Sequence, residues 1–142
     1  AAAGADDAHL DQLSTFGIPL GEAFQLRDDM LGVYGDPQET GKPAGDDLRE
    51  GKRTALVAIA WERADAFQRD LLRQHLGDPA ITPSMVDALR DVITETGAQA
   101  AVEQMIDDRT ATCREVVAAM DIDEQTRAAF DRLLILATRR SA

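Results

Sequence analysis

Apolar residues recur at three- and four-residue spacing along almost the whole chain, and no stretch of useful length alternates apolar with polar residues. That period commits the chain to helices packed on helices and leaves no material for a sheet. The first helix is read over about residues 7–34, with Leu10, Leu13, Phe16, Leu20, Phe24, Met30 and Leu31 as its apolar positions. Pro19 lies inside it and is expected to kink it or split it in two. Residues 35–52 are rich in Gly, Pro, Asp and Thr and read as a long loop, mobile until a ligand orders it. A second helix is read over residues 54–76 and is stopped by Gly77-Asp78-Pro79. Thr82-Pro83 has the form of an N-cap followed by proline at the first helical position, opening a helix that runs to about Thr96. Gly97 breaks the chain, a fourth helix spans about residues 98–120, and Asp123 caps a last one reaching about Arg139. The expectation is an all-α helical bundle of five helices, a single domain over residues 1–142 with no repeat and no linker.

With 142 residues, 44% of them hydrophobic, the chain is long enough to bury a core. No apolar run approaches the ~20 residues of a membrane-spanning helix. The stretch Ala1-Ala2-Ala3-Gly4-Ala5 lacks the basic start and apolar run of a signal peptide and reads as a start inside a longer or processed chain. The formal net charge of −11 argues against nucleic acid or an anionic membrane as partner. Any anionic ligand must therefore be met by local cations or a metal. Cys113 is alone, which excludes an internal disulfide framework and fits a reduced, cytoplasmic setting. His9 and His75 stand far apart with no second transition-metal ligand at motif spacing, and read as helix surface.

Gln25, Asp28, Asp29, Gly32 and Asp36 fall at i, i+3, i+4, i+7 and i+11, so on a helix they form one stripe, which Gly17 and Gly21 extend backwards. Asp28 and Asp29 at its foot can offer oxygens to a hard divalent cation such as Mg²⁺. The same stripe can also be a solvated acidic helix end with another helix packed at the glycines. Carboxylates at a helix C-terminus are electrostatically unfavourable, which favours a task for them. Of the 15 basic residues only Lys42 and Lys52 are lysine, each directly after a glycine in the 35–52 segment. A compact ammonium suits a terminal phosphate, and two exposed loop lysines are the plainer reading. Asp46-Asp47 either extends a metal site or caps and solubilises the loop.

The run Leu20-Gly21-Glu22-Ala23-Phe24-Gln25-Leu26-Arg27-Asp28-Asp29-Met30-Leu31-Gly32-Val33-Tyr34-Gly35-Asp36, followed by Thr40-Gly41-Lys42-Pro43-Ala44-Gly45-Asp46-Asp47-Leu48 and Glu50-Gly51-Lys52-Arg53-Thr54, closely resembles the second aspartate-rich region of the trans-isoprenyl diphosphate synthases, the polyprenyl synthetases. Several ordered elements agree over residues 20–54, and the later helices match the family's C-terminal part in character. The resemblance implies an all-α isoprenoid synthase fold and Mg²⁺-dependent condensation of isopentenyl diphosphate with an allylic prenyl diphosphate. By position it implies that Asp28 and Asp29 bind Mg²⁺, that Lys42 and Lys52 hold the allylic diphosphate, and that Gln25 lines the reaction cavity. Asp28, Asp29 and Lys42 would carry catalysis. In such enzymes diphosphate leaves, an allylic cation forms, the double bond of isopentenyl diphosphate attacks and a proton is lost, so stabilising the leaving group is the protein's main task.

Two departures stand out. The family's motif commonly has a third Asp four residues after the first; here that position is Gly32, and Asp36, one turn on, is the candidate substitute. The family's first aspartate-rich motif and its basic residues for isopentenyl diphosphate have no counterpart in these residues. The sequence thus reads as the C-terminal half of a short-chain, geranylgeranyl-like synthase, inactive alone, whose uncovered apolar surface leads it to self-associate as a homo-oligomer. The competing readings are a non-catalytic homologue or regulatory subunit of such a synthase, and an acidic helical interaction domain with no ligand.

Overall fold

The computed structural model describes residues 2–139, and their side chains over 7–139. Ala1, at the head of the stretch read as an internal start, lies outside them. Eight helices and no strand occur among the described residues: α1 (Ala2–Tyr34), α2 (Pro37–Thr40), α3 (Asp46–Glu50), α4 (Ala55–Arg63), α5 (Ala66–His75), α6 (Pro83–Glu95), α7 (Ala98–Ala119) and α8 (Glu124–Thr138). The all-α class is as the periodicity requires. The chain divides into two compact units, and α1 and α7 each contribute to both.

The first unit takes α1 as far as Arg27, α7 from Met105, and α8. Its core gathers Phe16, Cys113, Val117, Met120 and Leu134, with Leu20, Val116, Ile122 and Phe130 packed around them. Phe16 and Phe130 meet edge to face with ring centroids 4.8 Å apart, a favoured aromatic geometry. The Cys113 thiol points at the Phe16 carbonyl, 3.6 Å away, and burial pushes its pKa up. Arg127 donates to the carbonyls of Val117 and Met120, at 2.6 and 3.2 Å, at the end of α7. Glu22 and Arg109 pair across the unit.

The second unit takes α1 from Asp28, then α2 to α6 and the start of α7. Val33, Leu48, Leu56, Leu72, Leu89, Ile93 and Val102 form its interior, and each is almost wholly buried. The α6 helix packs against both α4 and α5. Tyr34 ends α1 with its hydroxyl 3.0 Å from that of Thr94, and Arg90 Nε donates to the Val33 carbonyl at 2.6 Å. The last turn of α1 is thereby tied to α6. Thr82 caps α6 and Pro83 opens it, Gly97 breaks the chain at φ +80°, and Asp123 caps α8, as read from the sequence.

Of the kink or split expected at Pro19, the split does not occur, since α1 continues through it as one helix; Thr15, whose carbonyl Pro19 cannot serve, lies on the exposed side. Two expectations are corrected. The helix read over 54–76 is two. Asp65 ends the first segment and caps the second, taking a 2.8 Å bond from Gln68 N–H while the Gln68 side chain accepts from Asp65 N–H. The 35–52 segment is no featureless loop, since it folds into α2 and α3. Leu10, Leu13, Phe24 and Phe67 are exposed.

Candidate functional site

The short α2 and α3 helices decide where the loop cations go. Asp36 does not continue the acidic stripe of α1. It lies past the end of α1 and N-caps α2, accepting from Gln38 N–H at 2.9 Å. Gly41 then ends α2 in the left-handed region, φ +71°, and leaves Lys42 on an exposed turn. Leu48, fully buried, anchors α3 to the core, and its carbonyl accepts from Gly77 N–H at 2.8 Å.

Gly51 closes α3 at φ +68°, where a Cβ would stand 2.9 Å from the Cα of Gly77. Glycine is thus required twice over, by the backbone conformation and by the close approach of a second chain segment. The turn it makes sends Lys52 back toward α1, and Thr54 immediately caps α4, accepting from Val57 N–H at 3.2 Å. Lys52 is therefore held between two fixed helix ends.

Its ammonium reaches two carboxylates. Nζ lies 3.2 Å from Asp29 Oδ1, a hydrogen-bonded ion pair, and 3.6 Å from Asp47 Oδ2. Asp29 is buried and Asp28 half-buried. Desolvation would lower the Lys52 pKa. The hydrogen bond to Asp29 and the charges of Asp47, Asp29 and Asp28 outweigh it and hold the ammonium above its ordinary value. Burial pushes the Asp47 carboxyl above the usual carboxylate range; Lys52 draws it back, and Asp29 and Asp28 push it up further. These four side chains form one electrostatic cluster.

Of the residues singled out in the sequence, Asp29 and Lys52 are in contact and Asp28 acts on the same charges. Lys42 is exposed and makes no ion pair among the described residues. Gln25 sits on α1 within the first unit. The residue that spacing left undecided is Asp47, which turns out to belong with the α1 carboxylates. Among the described residues no group of three or more His, Cys, Asp or Glu side chains is placed to hold a metal ion. An open cluster of carboxylates, completed by water and by oxygens of a phosphate ligand, is what Mg²⁺ takes, in contrast to a closed all-protein cage.

Fold and cluster together define an all-helical protein in which the carboxylates at the end of α1 are answered by a lysine from the segment that follows. The chain belongs to the polyprenyl synthetase family, whose model matches residues 1–96. It is 36% identical over 107 residues to geranylgeranyl diphosphate synthase of Mycobacterium tuberculosis, covering 75% of this chain and 31% of that protein. It is 32% identical over 134 residues to geranylfarnesyl diphosphate synthase of Aeropyrum pernix, covering 94% and 41%. A crystal structure of geranylgeranyl pyrophosphate synthase from Corynebacterium glutamicum, complexed with isoprenyl diphosphate and magnesium, superposes with a TM-score of 0.87 at 42% identity over 92% of this chain and 37% of that one. The chain thus spans about a third of the length of such relatives. No helix among the described residues is long and apolar enough to cross a membrane.

Proposed function

We propose that these residues form the C-terminal portion of a single synthase domain that condenses isopentenyl diphosphate with an allylic prenyl diphosphate, in the cytoplasm. The observation that carries the reading is the Lys52 ammonium set against the Asp29 and Asp47 carboxylates, on the run that matches the family. The donor set suits Mg²⁺: the oxygens are hard, and Asp47 Oδ2 is sealed from solvent without a hydrogen-bond partner. Asp28 and Asp29 would hold the ion. Bound there, Mg²⁺ would neutralise charge on the allylic diphosphate as it leaves. Lys42, exposed on its turn, and Lys52 would bind the phosphate oxygens as point charges, and Gln25 would line the cavity for the prenyl chain. The exposed apolar side chains Leu10, Leu13, Phe24, Leu133 and Leu136 support self-association as a homo-oligomer.

Binding of farnesyl diphosphate to the purified chain, followed by calorimetry with and without Mg²⁺, tests this. The expected result is Mg²⁺-dependent binding that Asp28→Ala weakens by about tenfold or more, the scale on which losing a group at a metal site lowers affinity. The chain alone should show no prenyl transfer from isopentenyl diphosphate. Binding that ignores both Mg²⁺ and Asp28 would reject the assignment.

A further inference from the structure

A lysine stem is flexible, so the reach of its ammonium depends on where the backbone beneath it is held. For Lys52 that backbone is the end of α3. Lys52 N–H donates to the Asp47 carbonyl at 3.0 Å, and Gly51 N–H to the Leu48 carbonyl at 3.3 Å. This pair of bonds is the Schellman pattern of a helix end. A third donor comes from the turn after α5: Gly77 N–H reaches the same Leu48 carbonyl at 2.8 Å, the shortest of the three. Gly77 stands at φ +81°, and a Cβ built on it would lie 3.5 Å from the Cα of Gly51. The two glycines lie backbone on backbone, with no side chain between them to yield. The Gly77 turn is itself fixed. Asp78 N–H donates to the His75 carbonyl at 3.2 Å, the Asp78 carboxylate accepts from Ala80 N–H at 2.9 Å, and Ile81 just beyond is buried.

We propose that Gly77 is a positioning residue for Lys52: through its bond to the Leu48 carbonyl and its contact with Gly51, it holds the end of α3 where the Lys52 ammonium can meet diphosphate. The inference rests on the reading of Lys52 as a phosphate-binding cation. It goes beyond that reading by making the turn between α5 and α6 part of what sets the affinity. The demand on position 77 is for backbone conformation more than for small size, because a Cβ at 3.5 Å is ordinary contact. Asparagine enters the left-handed region readily, whereas a β-branched residue is an outlier there.

The test is affinity for inorganic diphosphate at saturating Mg²⁺, measured by calorimetry, alongside the melting temperature. Gly77→Val should weaken binding about tenfold or more, the scale of a lost hydrogen bond to a charged group, and as much as Lys52→Met does. In a Lys52→Met background it should weaken binding no further while still lowering the melting temperature. Gly77→Asn should keep the affinity of the unaltered chain. Asp65→Ala, which removes the capping box at the far end of α5, should lower the melting temperature and leave diphosphate affinity alone. If Gly77→Val does not fold, Gly77→Ala goes through the same cycle with a smaller loss expected. A Gly77 variant that lowers the melting temperature without changing affinity overturns the proposal. So does one that weakens binding equally with and without the Lys52 ammonium. If Lys52→Met itself leaves diphosphate affinity unchanged, the phosphate reading of Lys52 is rejected and this inference falls with it.

Discussion

Lys52 is the side chain on which the candidate site depends most directly, because it answers a buried carboxylate. Lys52→Met keeps the aliphatic stem and removes the ammonium that lies 3.2 Å from the buried Asp29 carboxylate. Lys52 is itself 39% exposed, so solvent screens part of the loss. A destabilisation of about 1–2 kcal/mol is expected, measured by urea unfolding at neutral pH. Gly51 is the second sensitive residue. Gly51→Ala forces an L side chain to φ +68° and sets its Cβ 2.9 Å from the Gly77 Cα. It should cost about 2 kcal/mol or more by the same measurement, and should disturb Lys52 through the turn that aims it.

At the scale of elements, α8 offers a pH test with a definite sign. Asp123 caps it, accepting from Thr126 N–H at 2.6 Å. Hydrogen bonds from the Thr126 side chain, and then from its backbone, hold the Asp123 carboxyl below its ordinary value. A depressed carboxylate contributes stability that is present above its unfolded pKa of about 3.9 and is lost as pH falls through the folded value. Asp123→Asn keeps a capping oxygen without a titrating group, so its melting temperature should fall less steeply with acid than that of the unaltered chain, by calorimetry across the acid range. The caps also explain what could be read beforehand. Thr82-Pro83, Gly97 and Asp123 announce helix ends through chemistry local to the chain, and they appear where expected. The Ala64-Asp65 break carries neither glycine nor proline and is settled by a capping box, so a continuous apolar pattern concealed it. The α2 and α3 helices were hidden by the opposite cause, since the Gly and Pro that bound them look like loop. Asp28, Asp29 and Lys52 were legible because the motif is contiguous or nearly so. Asp47 was legible only as one of two alternatives, because its contact with Lys52 comes from the packing of α3 and not from spacing.

For the whole molecule, surface chemistry sets two opposed tendencies. A net charge of −11 keeps copies apart. In the first unit Leu133, Leu136 and Phe24 are exposed beside Gly17 and Gly21, around an apolar cavity of about 350 Å³. Sedimentation velocity should find self-association that strengthens as salt screens the charge, and Leu133→Gln with Leu136→Gln should return the chain to monomer. The Lys52 bridge bears on the molecule's energetics in another way. Because Lys52 already neutralises Asp29 and sits beside Asp47, the protein carries a resident counter-ion of its own. On the proposed reading, divalent binding is then an exchange of cations and not an addition, and the ammonium displaced becomes available to phosphate. Heterotropic linkage follows from that one side chain: whatever factor a divalent ion adds to diphosphate affinity, diphosphate must return to the ion, and Lys52→Met should shrink both by the same amount.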